Sequence, residues 1–360
     1  MNQQLFVLVA SQQAVASLPP VLELANPGDQ AVWLESPQAR ENRWSEGAGQ
    51  VLQRHGLRLL PPVGIAKIND PFSIAHACKP IVRLCREQGM RPVIVANGGT
   101  KLTLFGPHSA FYELEPTIVY GADRPAELWI FPRAFRQAPE VQAYLKHTLD
   151  LEDILVASGH LATRGQRIWP SDETPAINRA VINRGYQFEK ETAYRVVQVL
   201  RQHQGYGVVR SAWMNVAITK ASSLQGLVQA SSSKKKKRAK SKAGGFDLTD
   251  WDIVLVLRNG LLIYLECKSG ARSTRDLLGR MAILQRASSQ LAQMYTCIPF
   301  DMTRPDETAR YRSIRTSFDR VGLKLLPVPQ SGLEGVSDIP SFESELEKIL
   351  LAYKPVVISS

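Results

Sequence analysis

The sequence predicts an α/β protein built from two units, each with its own sheet. In the front half, short apolar segments alternate with stretches of helical periodicity, which is typical of a mostly parallel sheet covered by helices. In the back half, two apolar runs flank an Arg-Asn-Gly sequence near residue 260, which predicts an antiparallel hairpin. A chain of 360 residues is long enough for two cores. We therefore expect units at 1–150 and 179–360, joined by a linker at 151–178.

The front unit has predicted strands at residues 5–10, 30–34 and 92–96. In sheets of this kind, ligands bind beyond the carboxyl ends of the strands, where loops lead into helices. The loop that follows the first strand offers Ser11 and Gln12 as uncharged hydrogen-bonding groups. These two side chains are therefore candidate ligand contacts.

The loop after the third of these strands is a second candidate site. It contains five residues at a strand-to-helix junction: Asn97, Gly98, Gly99, Thr100 and Lys101. The glycines let the backbone approach a ligand closely, the helix start presents free amides, and the lysine adds positive charge, so the loop suits a phosphodiester. The chain has no G-x-x-x-x-G-K-[ST] or G-x-G-x-x-G pattern, which disfavours a nucleoside triphosphate or dinucleotide cofactor.

Charged residues interrupt the apolar runs of the back hairpin. Asp252 lies in the first run, and Glu266 and Lys268 lie near the end of the second, two residues apart and so on one face. A two-residue turn at Asn259 and Gly260 would put Asp252 and Glu266 on opposite faces. We instead predict a three-residue loop that also includes the preceding arginine, with a left-handed glycine, which places Asp252 directly opposite Glu266.

Oxygen ligands at one sheet edge suit a hard cation. The carboxylates of Asp252 and Glu266, with the backbone carbonyl of Cys267, predict a site for Mg²⁺ or Mn²⁺. The ammonium of Lys268 can orient a water or stabilise developing phosphate charge. A helix with an apolar stripe is predicted before the hairpin, and Glu189 lies in its first turn.

This order of elements resembles the PD-(D/E)xK nuclease core. The resemblance implies that Glu189 is the helical acid, that Asp252 and Glu266 are the principal metal ligands, and that Lys268 is the catalytic lysine. Asp250 forms D-x-D where relatives more often show E-x-D, so its role stays open. The competing interpretation is a surface hairpin with an ordinary Glu-Lys pair.

The N-G-G-T-K loop, with Ser-Gln after the first strand, resembles the CARF domain, a Rossmann-like sensor of cyclic oligoadenylates. The two halves together resemble the ancillary nucleases of type III CRISPR systems, of the Card and Can type. The resemblance implies a homodimer that binds cyclic tetra-adenylate across its two sensor domains and then cleaves DNA or RNA. The resemblance also extends to the helix that contains Arg280, where a lysine is more usual, and implies that Arg280 is a candidate phosphate contact. Leu102 replaces a methionine that is frequent after this loop.

A basic run accounts for most of the net charge. Residues 234–242 carry seven basic side chains and no acid, and without those seven the formal net charge of +11 falls to +4. Serines and glycines flank the run, which predicts a disordered loop at 231–245. Either the loop is merely solvated, or it holds phosphate backbones near the metal site. The candidate nucleic-acid contacts in it are Lys234, Lys235, Lys236, Lys237 and Arg238.

The apolar runs and the cysteine spacing indicate where in the cell the protein is expected. No apolar run approaches the about 20 residues of a membrane span, and the amino terminus lacks a basic region before its apolar stretch. The four cysteines show no C-x-x-C spacing, which fits a reducing cytoplasm and argues against a zinc ribbon. We expect a cytoplasmic protein without a membrane partner.

Two other functions fit the same residues. One is a ligand-responsive regulator that binds nucleic acid without cutting it. The other is a DNA-repair or restriction-type nuclease that no ligand controls. An intact set of acids and lysine argues against the regulator, because a pure binding protein does not need all four residues.

Overall fold

The computed structural model describes most of the chain. The described residues are 3–144, 149–170, 184–202, 207–220, 249–269, 274–287, 292–301, 303–330 and 338–355. Among them, no helix combines the length and apolar character that a bilayer crossing requires.

The first sheet is mainly parallel. Its strands are β1 (Gln4–Val9), β2 (Gln30–Glu35), β3 (Arg58–Leu59), β4 (Val63–Gly64), β5 (Arg91–Val95), β6 (Thr117–Ala122), β7 (Glu127–Phe131) and β8 (Glu140–Ala143). They are ordered β3-β2-β1-β5-β6-β7-β8, and β4 also pairs with β2. Only the pairs β6–β7 and β7–β8 are antiparallel. The three front strands predicted from the sequence are thereby confirmed as β1, β2 and β5, each within one residue.

Helices cover both faces of this sheet. They are α1 (Leu18–Leu24), α2 (Pro37–Glu41), α3 (Glu46–Arg54), α4 (Pro71–Gln88), α5 (Lys101–Phe111) and α6 (Leu151–Ala157). Side chains of β1 alternate between two cores: Phe6 and Leu8 pack in one, and Leu5 and Val7 in the other. A strand buried on both faces belongs between two helical layers, which is why β1 reads as a continuous apolar run.

The second sheet is mixed. Its strands are β9 (His160–Trp169), β10 (Val209–Lys220), β11 (Thr249–Leu257), β12 (Leu262–Cys267), β13 (Ala292–Phe300) and β14 (Lys324–Pro329), in the order β14-β13-β12-β11-β10-β9. The strands β12, β13 and β14 are parallel, and the other pairs are antiparallel. Four helices accompany the sheet in the described residues: α7 (Arg184–Gln202), α8 (Thr274–Ala287), α9 (Pro305–Asp319) and α10 (Phe342–Leu351).

Regular structure occupies much of the range predicted as a linker. Within 151–178, residues 151–157 form α6 and residues 160–169 form β9, an edge strand of the second sheet, while 171–183 lie outside the described residues. Helix α6 packs against α3 of the front unit, and His55 lies 3.3 Å from Asp153 across that contact. One apolar cluster includes Phe6 of the first sheet and Tyr264 of the second. The two units therefore share a core.

Candidate functional site

The hairpin of β11 and β12 has the register that the sequence predicts. Ile253 lies opposite Leu265, and Val256 lies opposite Leu262, so the next pair towards the open end is Asp252 and Glu266. The loop between the strands is closed by a 2.9 Å hydrogen bond from Leu257 N to Leu261 O, and Gly260 has φ of +80°. Both observations confirm the three-residue loop with a left-handed glycine.

Glu266 is a fully buried carboxylate surrounded by donors and cations. Its side chain is 0% exposed. Oε2 accepts a hydrogen bond from the Tyr264 hydroxyl and another, at 3.1 Å, from Arg280 Nη1. Oε1 forms ion pairs with Lys268 and, at 2.9 Å, with Arg280 Nη1. A buried carboxylate is costly unless it is compensated in this way, so these contacts explain how the sheet tolerates it.

Asp252 lies between the backbone of β12 and Lys268. Its Oδ2 accepts a 2.7 Å hydrogen bond from Cys267 N and lies 3.8 Å from Lys268 Nζ. Burial, and then the neighbouring charge of Glu266, raise the pKa of the Asp252 carboxyl from 3.8 to about 7, although Lys268 acts in the other direction. Two carboxylates that crowd one site in this way favour the approach of a further cation.

Glu189 of α7 belongs to the same electrostatic cluster. It is half-buried, and burial raises the pKa of its carboxyl. Lys268 lowers that pKa, and Glu266 raises it further, so both groups are near enough to act on Glu189. The structure thus brings together the four residues that the sequence singles out: Glu189, Asp252, Glu266 and Lys268.

The chemistry of these donors fits a hard divalent cation. They are carboxylate oxygens, and Oε1 of Glu266 is fully buried and already attracts the two cations Lys268 and Arg280. Within the described ranges, however, no three acidic, histidine or cysteine side chains converge tightly enough to hold a metal as they stand. Lys268 and Arg280 supply the positive charge around Glu266 instead.

Several other residues of the back unit were candidates or neighbours of this site. Asp250 is exposed and pairs with Arg164 of β9 at 3.0 Å, and its charge contributes to the raised pKa of Glu189. Trp251 is buried, at 1% exposure, against Tyr264. The sequence interpretation missed Tyr264, although its position two residues before Glu266 places it on the same face of β12. The run of candidate nucleic-acid contacts from Lys234 to Arg238 lies outside the described residues.

The two candidate ligand loops of the front unit lie side by side. They follow β1 and β5, which are parallel neighbours and lead to helices on the two faces, so both loops leave the same sheet edge at a topological switch point. Gly98 has φ of +83°, and a Cβ at this position would lie 3.1 Å from Ser11 Oγ. The loops therefore touch, and Gly98 is required both for the backbone conformation and for the close approach.

Some residues predicted to contact the ligand form hydrogen bonds within the protein instead. The Asn97 side chain donates to Gly121 O at 2.9 Å and accepts from Gly121 N at 2.8 Å, and Ser17 Oγ donates to Asn97 O at 2.8 Å. Thr100 and Thr103 form a capping box at the start of α5. These bonds hold the loop rigidly and leave backbone amides, rather than the Asn97 side chain, to face a ligand.

The other two predicted ligand contacts are Gln12 and Lys101. Gln12 is exposed beside Ser11, in agreement with a place at the surface of the site. Lys101 is the first residue of α5, and its side chain is outside the described part of the structure.

Comparison with known proteins identifies solved structures that share this fold. No protein-family model matches the sequence, and no curated protein matches it. Among solved structures, protein VC1899 from Vibrio cholerae is similar, with a TM-score of 0.64, 14% identity, and coverage of 90% of this chain and 94% of that one. Can2 from Sulfobacillus thermosulfidooxidans, in complex with cyclic tetra-adenylate, has a TM-score of 0.55 and 12% identity over 98% of this chain and 100% of that one.

A third similar structure is a type III CRISPR defence DNA nuclease activated by cyclic oligoadenylate. Its TM-score is 0.58 at 16% identity, over 98% of this chain and 52% of that chain. The chain shares its fold with all three. The similarity covers both units rather than one, so the order and arrangement of a front α/β unit and a back mixed-sheet unit are common to these proteins.

Proposed function

We propose that this protein is a metal-dependent nuclease of type III CRISPR defence that cyclic tetra-adenylate activates. The observation that carries the nuclease half is the convergence of Asp252, Glu266 and Lys268 on one end of the hairpin, with Glu189 of α7 beside them. The activator is proposed because the fold extends over the full length of Can2, whose structure contains cyclic tetra-adenylate. By this proposal residues 1–150 are the sensor, and the nuclease unit lies within 179–360.

Each residue of the nuclease site has a role that follows from its surroundings. Glu189, Asp252 and Glu266, with the Cys267 carbonyl, would hold Mn²⁺ or Mg²⁺. A divalent cation there supplies Lewis acidity towards the phosphate and an attacking water. Lys268 lies within reach of both hairpin carboxylates, so its ammonium is held where it can stabilise the negative charge of a pentavalent phosphate.

The sensor half would bind the cyclic phosphodiester through the paired loops. The backbone of Gly98 and Gly99 and the amino terminus of α5, which begins at Lys101, would supply amide donors, and Ser11 and Gln12 lie at the same sheet edge. Leu102 and Phe105 of α5 are 48% and 57% exposed beside this loop, which supports a second copy of the chain as the partner. A two-fold ligand on a dimer axis gives each copy an equivalent phosphate.

A cleavage assay tests the proposal. The purified protein is incubated with Mn²⁺ and plasmid DNA, single-stranded DNA or RNA, with and without cyclic tetra-adenylate. Cleavage should require both additions, and Glu266→Gln or Lys268→Ala should reduce it by at least about a hundredfold, as is usual for groups that stabilise transition-state charge. Glu307→Gln is the matched control, because Glu307 also pairs with an arginine, Arg310 at 2.7 Å, but lies on α9. Unchanged cleavage in both site variants would contradict the assignment.

The same assay separates the two rival functions. Binding of labelled nucleic acid that responds to cyclic tetra-adenylate without any cleavage would indicate a regulator. Cleavage that is equal with and without the cyclic nucleotide would indicate a nuclease that is not controlled by it. Ligand-dependent cleavage alone agrees with the proposal.

A further inference from the structure

Two cationic side chains contact Glu266, and they differ in how freely they can move away from it. Lys268 is on the same strand, its side chain is 10% exposed, and it also reaches Asp252. Arg280 comes from α8, and its side chain is 34% exposed. Arg280 can therefore turn towards solvent, whereas Lys268 is confined between the two carboxylates.

The charges of the site no longer balance when a divalent ion joins both Lys268 and Arg280. Glu189, Asp252 and Glu266 carry three negative charges when ionised, and Lys268 and Arg280 carry two positive charges. A divalent ion added to this set would give a net positive cluster in a largely buried place, and it would be repelled by the guanidinium. Removal of Arg280 from Glu266 restores neutrality. The ion and the arginine thus compete for the same carboxylate.

We propose that Arg280 is a removable counter-charge, which neutralises Glu266 and gives up this carboxylate when a divalent cation binds. This inference rests on the proposed function, since it assigns a competitor for the same metal site. The contact that supports it is direct: Arg280 Nη1 lies 2.9 Å from Oε1 and 3.1 Å from Oε2 of Glu266, the carboxylate that the cation would use. This role differs from a direct phosphate contact, in which Arg280 would assist cleavage without affecting metal affinity.

Metal affinity, measured without substrate, tests the proposal. Mn²⁺ binding is followed by electron paramagnetic resonance or calorimetry in the wild-type protein, Arg280→Met and Arg280→Lys. Methionine keeps an apolar stem but removes the charge, so Mn²⁺ should bind about tenfold more tightly or better, because a charge-assisted hydrogen bond no longer has to be broken. Lysine keeps the charge, but its nitrogen lies one bond nearer the backbone than Arg280 Nη1, so its contact with Glu266 should be weaker and the Mn²⁺ affinity of this variant should lie between the other two.

Arg310→Met is the control variant. Arg310 is 38% exposed and pairs with Glu307 on α9, so it matches Arg280 in exposure and partner but is outside the site. Its Mn²⁺ affinity should equal that of the wild type. Unfolding midpoints provide a second measurement: without metal, Arg280→Met should unfold at a lower temperature, and Mn²⁺ should raise its midpoint more than that of the wild type.

The outcomes separate this inference from the proposed function. Unchanged or weaker Mn²⁺ binding in both Arg280 variants, with normal binding in the wild type, would overturn the displacement but leave the metal site intact. Absence of Mn²⁺ binding in every form, including the wild type, would overturn the metal site and the displacement together. Should Arg280→Met not fold, the lysine variant still decides, because an affinity equal to or below that of the wild type would contradict competition.

Discussion

The side-chain amide of Asn259, at the tip of the β11–β12 hairpin, donates a 3.2 Å hydrogen bond to the backbone carbonyl of Asp123, in the turn between β6 and β7. The neighbouring Gly260 is packed equally closely, since a Cβ there would lie 3.1 Å from Pro19 Cγ. Pro19 is two residues from Ser17, which holds the Asn97 carbonyl of the ligand loop. The hairpin that carries Asp252 and Glu266 is therefore docked on the front unit, close to the proposed nucleotide site.

This docking predicts that Asn259→Asp weakens activation without damaging the metal site. Aspartate keeps an oxygen for Leu261 N, which Asn259 Oδ1 accepts at 3.3 Å, but it loses the donor to Asp123. Loss of one hydrogen bond of about 1 kcal/mol should reduce the ratio of activated to basal cleavage about fivefold. Cleavage with and without cyclic tetra-adenylate gives this ratio. Mn²⁺ affinity should not change, and an unaltered ratio would show that the contact does not transmit the signal.

The ligand loop predicts a loss of nucleotide binding in Gly98→Ala. The new methyl group would approach Ser11 Oγ to 3.1 Å and Val9 O to 3.3 Å, and the residue would retain a φ of +83° that alanine disfavours. Binding of cyclic tetra-adenylate, measured by calorimetry, should weaken at least tenfold, while Mn²⁺ binding stays normal. Gly89→Ala is the matched control, because Gly89 has φ of +63° but nothing within 4 Å of its added Cβ. Equal effects of the two variants on binding would assign the loss to backbone strain alone.

Local rules predicted the hairpin because the necessary information lies within a few residues. Strand alternation fixes which side chains share a face, and the two possible loops give different partners for Asp252, so the charge pattern selects one register. The same reasoning found β1, β2 and β5, whose buried sides are continuous apolar runs.

The features that the sequence did not predict depend on contacts between residues far apart in the chain. Asn97 is bound to Gly121, 24 residues away, and no local pattern shows that its amide is already used. The sequence does not predict β9, since residues 163–167 lack apolar alternation; in the structure they are exposed, and pairing with β10 holds them in the sheet. The Arg280 contact with Glu266 joins a helix to a strand and likewise depends on the packing of both.

The buried hydroxyl of Tyr264 predicts a stability effect. Tyr264 is 1% exposed and donates to Glu266, so Tyr264→Phe removes a hydrogen bond to a buried charged group. We expect the free energy of unfolding to fall by about 1.5–3 kcal/mol, measured by urea denaturation. Tyr311→Phe is a suitable comparison, because Tyr311 is also buried but accepts its 2.9 Å hydrogen bond from Arg315, outside the site. A loss no greater than that of Tyr311→Phe would mean that the Tyr264 contact does not stabilise Glu266.

The raised pKa of Asp252 predicts how stability depends on pH in the absence of metal. In the folded protein this carboxyl has a pKa of about 7, against an ordinary value of 3.8, because burial and Glu266 disfavour its charge. Between these two values the folded state holds a proton that the unfolded state has released. The contribution of Asp252 to stability is therefore greatest at low pH and is lost as the pH rises to about 7. At about 1.4 kcal/mol for each pKa unit, the loss amounts to a few kcal/mol.

Asp252→Asn should remove this dependence. Asparagine keeps an oxygen that can accept from Cys267 N but carries no charge, so the variant should be more stable than the wild type at pH 8 and should lose that advantage progressively as the pH falls towards 4. Urea denaturation in the presence of a chelator measures both proteins at each pH. Asp306→Asn is a control in which the pKa shift has the opposite direction. The hydrogen bond from Arg304 lowers the pKa of this exposed carboxyl, so the stability of the variant relative to the wild type should not increase as the pH rises. If Asp252→Asn is no more stable than the wild type at pH 8, the Asp252 carboxylate is compensated as it stands, and the electrostatic demand for a divalent cation at the hairpin disappears.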